Sequence, residues 1–171
     1  TLTRVLSVSE KPLLQVPFKD TLICSIDSLP INVNSAGIFN WEPNINISNT
    51  NTANVLVYPK DTTKYIVSIN NNGCISKDTI TVNVLPFIKV TAGLDSTICL
   101  NDTIQLRVKS DALQYQWTNL LNETISSFKN PFVKPTGNTT YFVTANLGKC
   151  QDKDSITITT VPYPIANLQN D

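Results

Sequence analysis

Apolar and polar residues alternate in short runs along this chain, and the clearest runs come in pairs. Tyr65, Val67 and Ile69 fall on one face of a strand, and Ile80, Val82 and Val84 on one face of the next. Period-two alternation is the signature of a strand with one buried face. A polar turn ending in Gly73 separates the two runs, so they predict a hairpin. The pattern returns at Tyr141, Val143 and Ala145, followed by Ile156 and Ile158. Upstream of the first hairpin, Ile31 and Val33 predict one strand, Phe39 and Trp41 the next, and Val55 to Tyr58 a third, closed by Pro59. In the second half the corresponding strands are Ile104, Leu106 and Val108, then Tyr115 and Trp117, then Phe132 and Val133 before Pro135. Short alternating strands at this spacing predict an all-β, antiparallel sandwich architecture.

The two halves are copies. Trp41 maps to Trp117, Pro59 to Pro135, Thr63 to Thr139, Tyr65 to Tyr141, Cys74 to Cys150 and Asp78 to Asp154, each 76 positions on. Asp20, Cys24 and Asp27 map to Asp95, Cys99 and Asp102, 75 positions on. So many distinctive residues at one offset define an internal repeat. The predicted division is 1–11, the end of a preceding unit or an edge strand; 12–85, the first repeat; 86–161, the second; and 162–171, a truncated linker to a further repeat. Pro86 and Phe87 stand between the last strand of one repeat and the first residues of the next, with no Gly/Ser-rich spacer.

Charge and composition remove several function classes. Thirteen basic and thirteen acidic residues leave no net charge, so nothing steers the chain to nucleic acid or anionic lipid. No apolar run approaches the length of a membrane helix, so no membrane insertion is expected. There is no histidine, which removes a Cys/His zinc site and a Cys-His nucleophile. No Ser-His-Asp set, phosphate-binding loop or dinucleotide fingerprint is present. The expectation is a protein without catalytic residues and without a cofactor.

Four cysteines remain, two per repeat in matched places: Cys24, Cys74, Cys99 and Cys150. Their spacing predicts structural disulfides formed in an oxidising compartment, Cys24 with Cys74 and Cys99 with Cys150, one in each repeat. Trp41, Trp117, Tyr65 and Tyr141 could stack against sugars, but large aromatics in alternating strands are expected in the structural core. Asp20 and Asp27, Asp95 and Asp102, and Asp152 and Asp154 have the carboxylate chemistry for calcium, although turn capping accounts for such acids more simply. N-glycosylation sequons start at Asn46, Asn101, Asn122 and Asn138, as an Asn/Thr-rich composition readily produces.

The Trp on the third strand and the Tyr that opens the penultimate strand resemble the buried Trp and the tyrosine corner of immunoglobulin-type sandwiches. In those domains the Tyr stands two residues before the second Cys. Here it stands nine before, at Tyr65 and Cys74, so the bridge is expected to clamp one end of the sandwich, tying the first strand to the turn of the last hairpin. The resulting expectation is two tandem immunoglobulin-like antiparallel β-sandwich domains with one disulfide each.

A wider pattern joins Asp20 and Cys24 to Phe39 and Trp41, then to Pro59, Thr63 and Tyr65, and finally to Gly73, Cys74 and Asp78, with partners in the second copy. It resembles the immunoglobulin/PKD-like tandem repeats of giant Bacteroidota surface proteins, including gliding adhesins. The resemblance implies secretion to the cell surface and a place in a stalk or adhesive filament. Its implied partners are neighbouring repeats of the same chain and surface glycans or the substratum. It also implies O-glycosylation at Thr21, Ser28, Thr62, Thr79, Ser96, Thr103 and Ser155. The competing expectation is a glycan- or protein-binding module that uses the loops after the Trp strands. Those loops differ, being Asn-rich in the first repeat and Leu120-Leu121-Asn122-Glu123 in the second, which favours the stalk.

Overall fold

A computed structural model describes residues 10–165. The predicted segment 1–11 therefore lies almost wholly outside the described residues, as does most of 162–171. The chain divides into two compact units between Pro86 and Phe87.

Among the described residues the first unit contains six strands: β1 (Asp20–Cys24), β2 (Leu29–Asn32), β3 (Ile38–Glu42), β4 (Asn54–Val57), β5 (Thr63–Asn71) and β6 (Cys74–Leu85). One sheet has the order β1-β6-β5-β3, and β2 pairs with β4 in the other. The predicted hairpin is β5–β6. It is joined by Asn72 and Gly73 at φ 50° and 88°, and Asn71 pairs with Cys74 across the turn. Asn-Gly is the pair that takes two successive positive φ values most readily, and the resulting turn matches the strand twist. Alternation then places Tyr65, Val67 and Ile69 of β5 and Ile80 and Val82 of β6 on the inner face. Ile31, Val55 and Val57 of the facing sheet close over them, with Trp41 at 1% exposure.

The described residues of the second unit form nine strands: β7 (Thr91–Ala92), β8 (Ser96–Cys99), β9 (Ile104–Gln105), β10 (Val108–Lys109), β11 (Gln114–Thr118), β12 (Thr124–Ser126), β13 (Phe132–Val133), β14 (Thr139–Leu147) and β15 (Cys150–Val161). The large sheet has the order β12-β11-β14-β15-β8, and β13–β9 and β10–β7 form the opposing ladders. Both units are all-β sandwiches, as the alternation predicted.

Three features differ from the sequence reading. The run Ile104, Leu106, Val108 is two strands rather than one. β9 pairs with β13, β10 pairs with β7, and the N–H of Leu106 between them donates to Pro131 O at 2.8 Å. Part of the polar stretch after Trp117 forms the edge strand β12, with a register shift between Trp117 and Thr118. The third feature is the direction of the first strand. β1 runs parallel to β6, and β8 parallel to β15, inside otherwise antiparallel sheets. An alternation pattern carries no information about strand direction.

Candidate functional site

The parallel pairing decides the cysteines. Cys24 lies beside Leu85, the last residue of β6, whereas Cys74 is the first residue of that strand. A strand advances ~3.3 Å per residue, so the two positions are about 36 Å apart. Bridged cysteines need Cα atoms ~6 Å apart. In the second unit Cys99 lies beside Val161, while Cys150 begins the same strand, β15. The expected bridges Cys24–Cys74 and Cys99–Cys150 therefore cannot form, and the predicted clamp of one end within each unit falls with them. Cys24 and Cys150 are nonetheless disulfide-bonded. Cys99 is a half-buried free thiol.

The acids do not converge. Among the described residues no group of three or more His, Cys, Asp or Glu side chains could hold a metal ion. The candidate calcium residues Asp95, Asp102, Asp152 and Asp154 are instead engaged singly. Asp95 Oδ1 accepts the Thr157 N–H at 2.7 Å. Asp102 accepts the Tyr163 hydroxyl. Asp152 Oδ2 accepts the Val90 N–H at 2.7 Å, and Asp154 Oδ2 the Ala92 N–H at 2.8 Å. In the first unit Asp27 accepts the Cys24 N–H at 3.2 Å, closing the turn after β1, and Asp20 is exposed.

These bonds give the Asp after each hairpin cysteine a role that the sequence did not reveal. Asp78 pairs with Val67 across β5–β6, and Asp154 with Val143 across β14–β15. Asp78 Oδ2 accepts the Val16 N–H at 3.2 Å, just as Asp154 takes that of Ala92, the residue 76 positions on. Where the inner row turns acidic, carboxylates receive the backbone N–H groups of the incoming chain in place of a ladder partner. Asp78 also forms an ion pair with Lys19. Burial pushes the Asp78 carboxyl up, but the Lys19 bond and the N–H bonds of Thr79 and Val16 outweigh it and hold the carboxyl below its ordinary range. Asp152 is held low chiefly by the Val90 N–H. The spacing to the cysteine marked these acids, but only the packed incoming segment shows what they hold.

The aromatic candidates are interior. Trp117 is fully buried, and Trp41 donates its indole N–H to Thr52 O at 2.9 Å. Tyr65 is buried and donates its hydroxyl to Ile45 O at 3.0 Å, in the loop after β3. Tyr141 is buried at the matching place in β14. None of the four presents a ring face for a sugar. Burial, assisted by Tyr58, raises the Tyr65 hydroxyl to about 12. Because the folded value lies above the unfolded one of about 10, the stabilisation is full below pH ~10 and is lost as the pH rises through ~12. Urea midpoints should therefore be flat through mildly alkaline pH and fall between pH ~10 and ~12. Tyr65→Phe should shrink that fall. On the acid side the lowered Asp78 and Asp152 stabilise above pH ~4 and lose their contribution as the pH falls through their folded values.

Three of the four sequon asparagines, Asn46, Asn101 and Asn122, adopt φ between 53° and 69°. Asn tolerates the left-handed region better than other residues with a side chain, so turn geometry alone explains them. Asn138 Oδ1 accepts the Thr160 N–H at 2.8 Å. Of the seven hydroxyl residues singled out for O-glycosylation, Ser28, Thr62, Thr103 and Ser155 are exposed, while Thr21, Thr79 and Ser96 are half-buried. A surface cleft of about 430 Å³ in the first unit is lined by Leu13, Gln15, Val16, Pro17, Asn32 and Asn34, none of them an acid, a base or a nucleophile.

No family model matches the chain, and no curated protein matches it by sequence. Solved structures do match by shape. Three N-terminal domains of the bacteriophage RB49 highly immunogenic outer capsid protein (Hoc) align at a TM-score of 0.55 and 12% identity, over 88% of this chain and 59% of that one. The N-terminal four Ig domains of Dscam1 isoform 8.4 align at 0.49 and 11% identity, over 91% of this chain and 48% of that one. Extracellular domains 3–5 of Drosophila OTK align at 0.45 and 10%, over 87% of this chain and 62% of that one. The chain thus spans roughly half to three fifths of the structures it matches. At these identities the likeness is one of fold: the chain is an all-β pair of tandem immunoglobulin-like sandwiches.

Proposed function

We propose that this chain is a non-catalytic, load-bearing pair of repeats from a long secreted filament or adhesin at the cell surface. The observation that carries the reading is the parallel ladder at the edge of each unit. β1 and β6 are joined by five residue pairs from Asp20–Thr81 to Cys24–Leu85, and β8 and β15 by four. The incoming chain is bonded near the start of the last strand, at Ser76 and Asp78, and the chain leaves at that strand's far end. Tension on the two ends of a unit therefore pulls neighbouring strands past each other. All the hydrogen bonds of the ladder are loaded together in shear, whereas strands peeled from one end would lose them singly. The oxidised state of Cys24 and Cys150 supports an extracellular setting. The resemblance to Bacteroidota surface repeats supports the filament, with neighbouring repeats of the same chain as partners and gliding motility as one context.

Single-molecule pulling tests the reading. Loading the first unit between Lys11 and Pro86 is expected to need a several-fold higher unfolding force than loading it between Asp20 and Thr81, which peels the ladder from one end. Equal forces would count against a mechanical role. A binding role for the loops after the Trp strands is favoured by one observation. In the second unit Leu120, Leu121 and Phe128 of this segment are 71–78% exposed. A glycan array decides it: binding lost in a Leu120→Asn/Leu121→Asn variant would favour the module over the stalk.

A further inference from the structure

We infer that Asn72 is the chain's site of spontaneous deamidation and that Asn70 governs its rate, holding it slow for as long as the first unit is folded. Asn72-Gly73 is the single Asn-Gly pair in the sequence, and both residues are exposed at the tip of the β5–β6 hairpin. A Cβ added at Gly73 would meet nothing within 4 Å, so no neighbouring side chain covers the glycine.

The chemistry needs only these two residues and water. The backbone nitrogen of Gly73 gives up its proton and attacks Cγ of Asn72. The new C–N bond closes a succinimide ring, and the Cγ–Nδ2 bond breaks. The side-chain nitrogen leaves as ammonia, taking up the proton that Gly73 lost. Water then opens the ring at either carbonyl, which leaves aspartate or isoaspartate at position 72. Glycine favours the attack because it has no Cβ to crowd the nitrogen.

The fold asks for this reactive pair. Asn72 and Gly73 take φ values of 50° and 88°, and Asn-Gly is the pair that does so most readily. The matching turn of the second unit avoids the hazard. There Gly148 takes φ 55° and Lys149 follows it, with Leu147 opposite Cys150. The liability therefore belongs to the turn type of the first unit.

Asn70 counters it. The Gly73 N–H donates to Asn70 Oδ1 at 2.9 Å. That proton is the one that must leave before the ring can close, so attack requires this bond to break first. Asn70 is itself fixed on both sides, pairing with Ile38 of β3 and with Ile75 of β6. Unfolding removes the bond and the protection together. Isoaspartate would carry the backbone through the side-chain carbon, lengthening a two-residue turn across which Asn71 pairs with Cys74. The inference concerns chemical ageing of the hairpin and stands whether or not the units bear load.

The test holds the folded 171-residue chain, and the same chain in urea, in mildly alkaline buffer. Mass spectrometry follows the tryptic peptide 65–77, and methyltransferase labelling reads isoaspartate. Fragment spectra should place the change at Asn72 rather than Asn70 or Asn71, and the folded chain should react several-fold more slowly than the chain in urea. Asn70→Ala should raise the folded rate several-fold. Asn70→Asp, whose carboxylate still accepts the Gly73 N–H, should restore the slow rate. A folded Asn70→Ala variant that deamidates at the parent's rate would overturn the inference, and so would equal rates for the parent in buffer and in urea. Should Asn70→Ala fail to fold, hydrogen exchange at the Gly73 N–H of the parent decides. That N–H should exchange several-fold more slowly than in the unfolded chain, and exchange at the unfolded rate would overturn the role given to Asn70.

Discussion

Truncating Trp41 to alanine is expected to cost the first unit about 3–5 kcal/mol, the range for removing a fully buried large aromatic. The indole stands at 1% exposure on β3, which pairs with β5 through Trp41 and Val67. Around it lie the largest buried side chains of the unit, among them Tyr65, Ile31 and Ile69. Three losses combine. The apolar area returns to water, a cavity opens that rigid neighbours cannot fill, and Thr52 O loses the indole N–H that it accepts at 2.9 Å. Domains of this size have total stabilities of only about 5–15 kcal/mol. A urea melt should therefore show the first unit unfolded or nearly so, with Trp117 as the remaining fluorophore reporting on the second. Trp117→Ala should mirror the result, since that ring is fully buried too. A shift below about 1 kcal/mol would mean that the ring is not a core element and would reopen the sugar-stacking reading.

The second large effect is expected at Gly37, just before β3. Its φ is +141°, a backbone region that residues with a Cβ rarely enter. A Cβ there would stand 2.8 Å from Asn70 O and would also overlap Ile69 Cγ2. Neither neighbour can give way. Asn70 is held on both sides, pairing with Ile38 of β3 and with Ile75 of β6 beside the hairpin turn, while Ile69 is fully buried. Gly37→Ala should cost about 3 kcal/mol from backbone strain and overpacking together. Gly137→Ala is the matched control. Its Cβ would meet open space, so its effect should fall within about 0.5 kcal/mol of zero. Equal melting of the two variants would show that the approach of Gly37 to β5 is not a constraint.

Much of the inner face was legible before any coordinates. Tyr65, Val67, Ile69, Ile80 and Val82 alternate in the chain and all reach the core, because a strand's side chains must point alternately to its two faces. The repeat was legible as well, since Trp41 and Trp117, or Tyr65 and Tyr141, stand at one offset and occupy equivalent interior places. The edge strand β12 and the split at Leu106 were not. They depend on what lies opposite, Trp117 for β12 and Pro131 for Leu106.

The cysteines mark the division most clearly. By itself the sequence determined their number, their matched spacing and their fitness for disulfides in a chain without histidine. It also determined that each unit is a sandwich with a Trp and a Tyr inside, because hydrophobic periodicity is a local property that each strand carries alone. Only the tertiary structure decided which way the first strand runs along the last. Strand direction is set by how the incoming segment crosses between sheets, here with its N–H groups caught by Asp78 in one unit and by Asp152 and Asp154 in the other. A parallel β1 carries Cys24 to the far end of β6 from Cys74, and a parallel β8 carries Cys99 to the far end of β15 from Cys150. A disulfide needs sulfurs in contact, and contact is a property of register and direction that spacing along the chain does not contain.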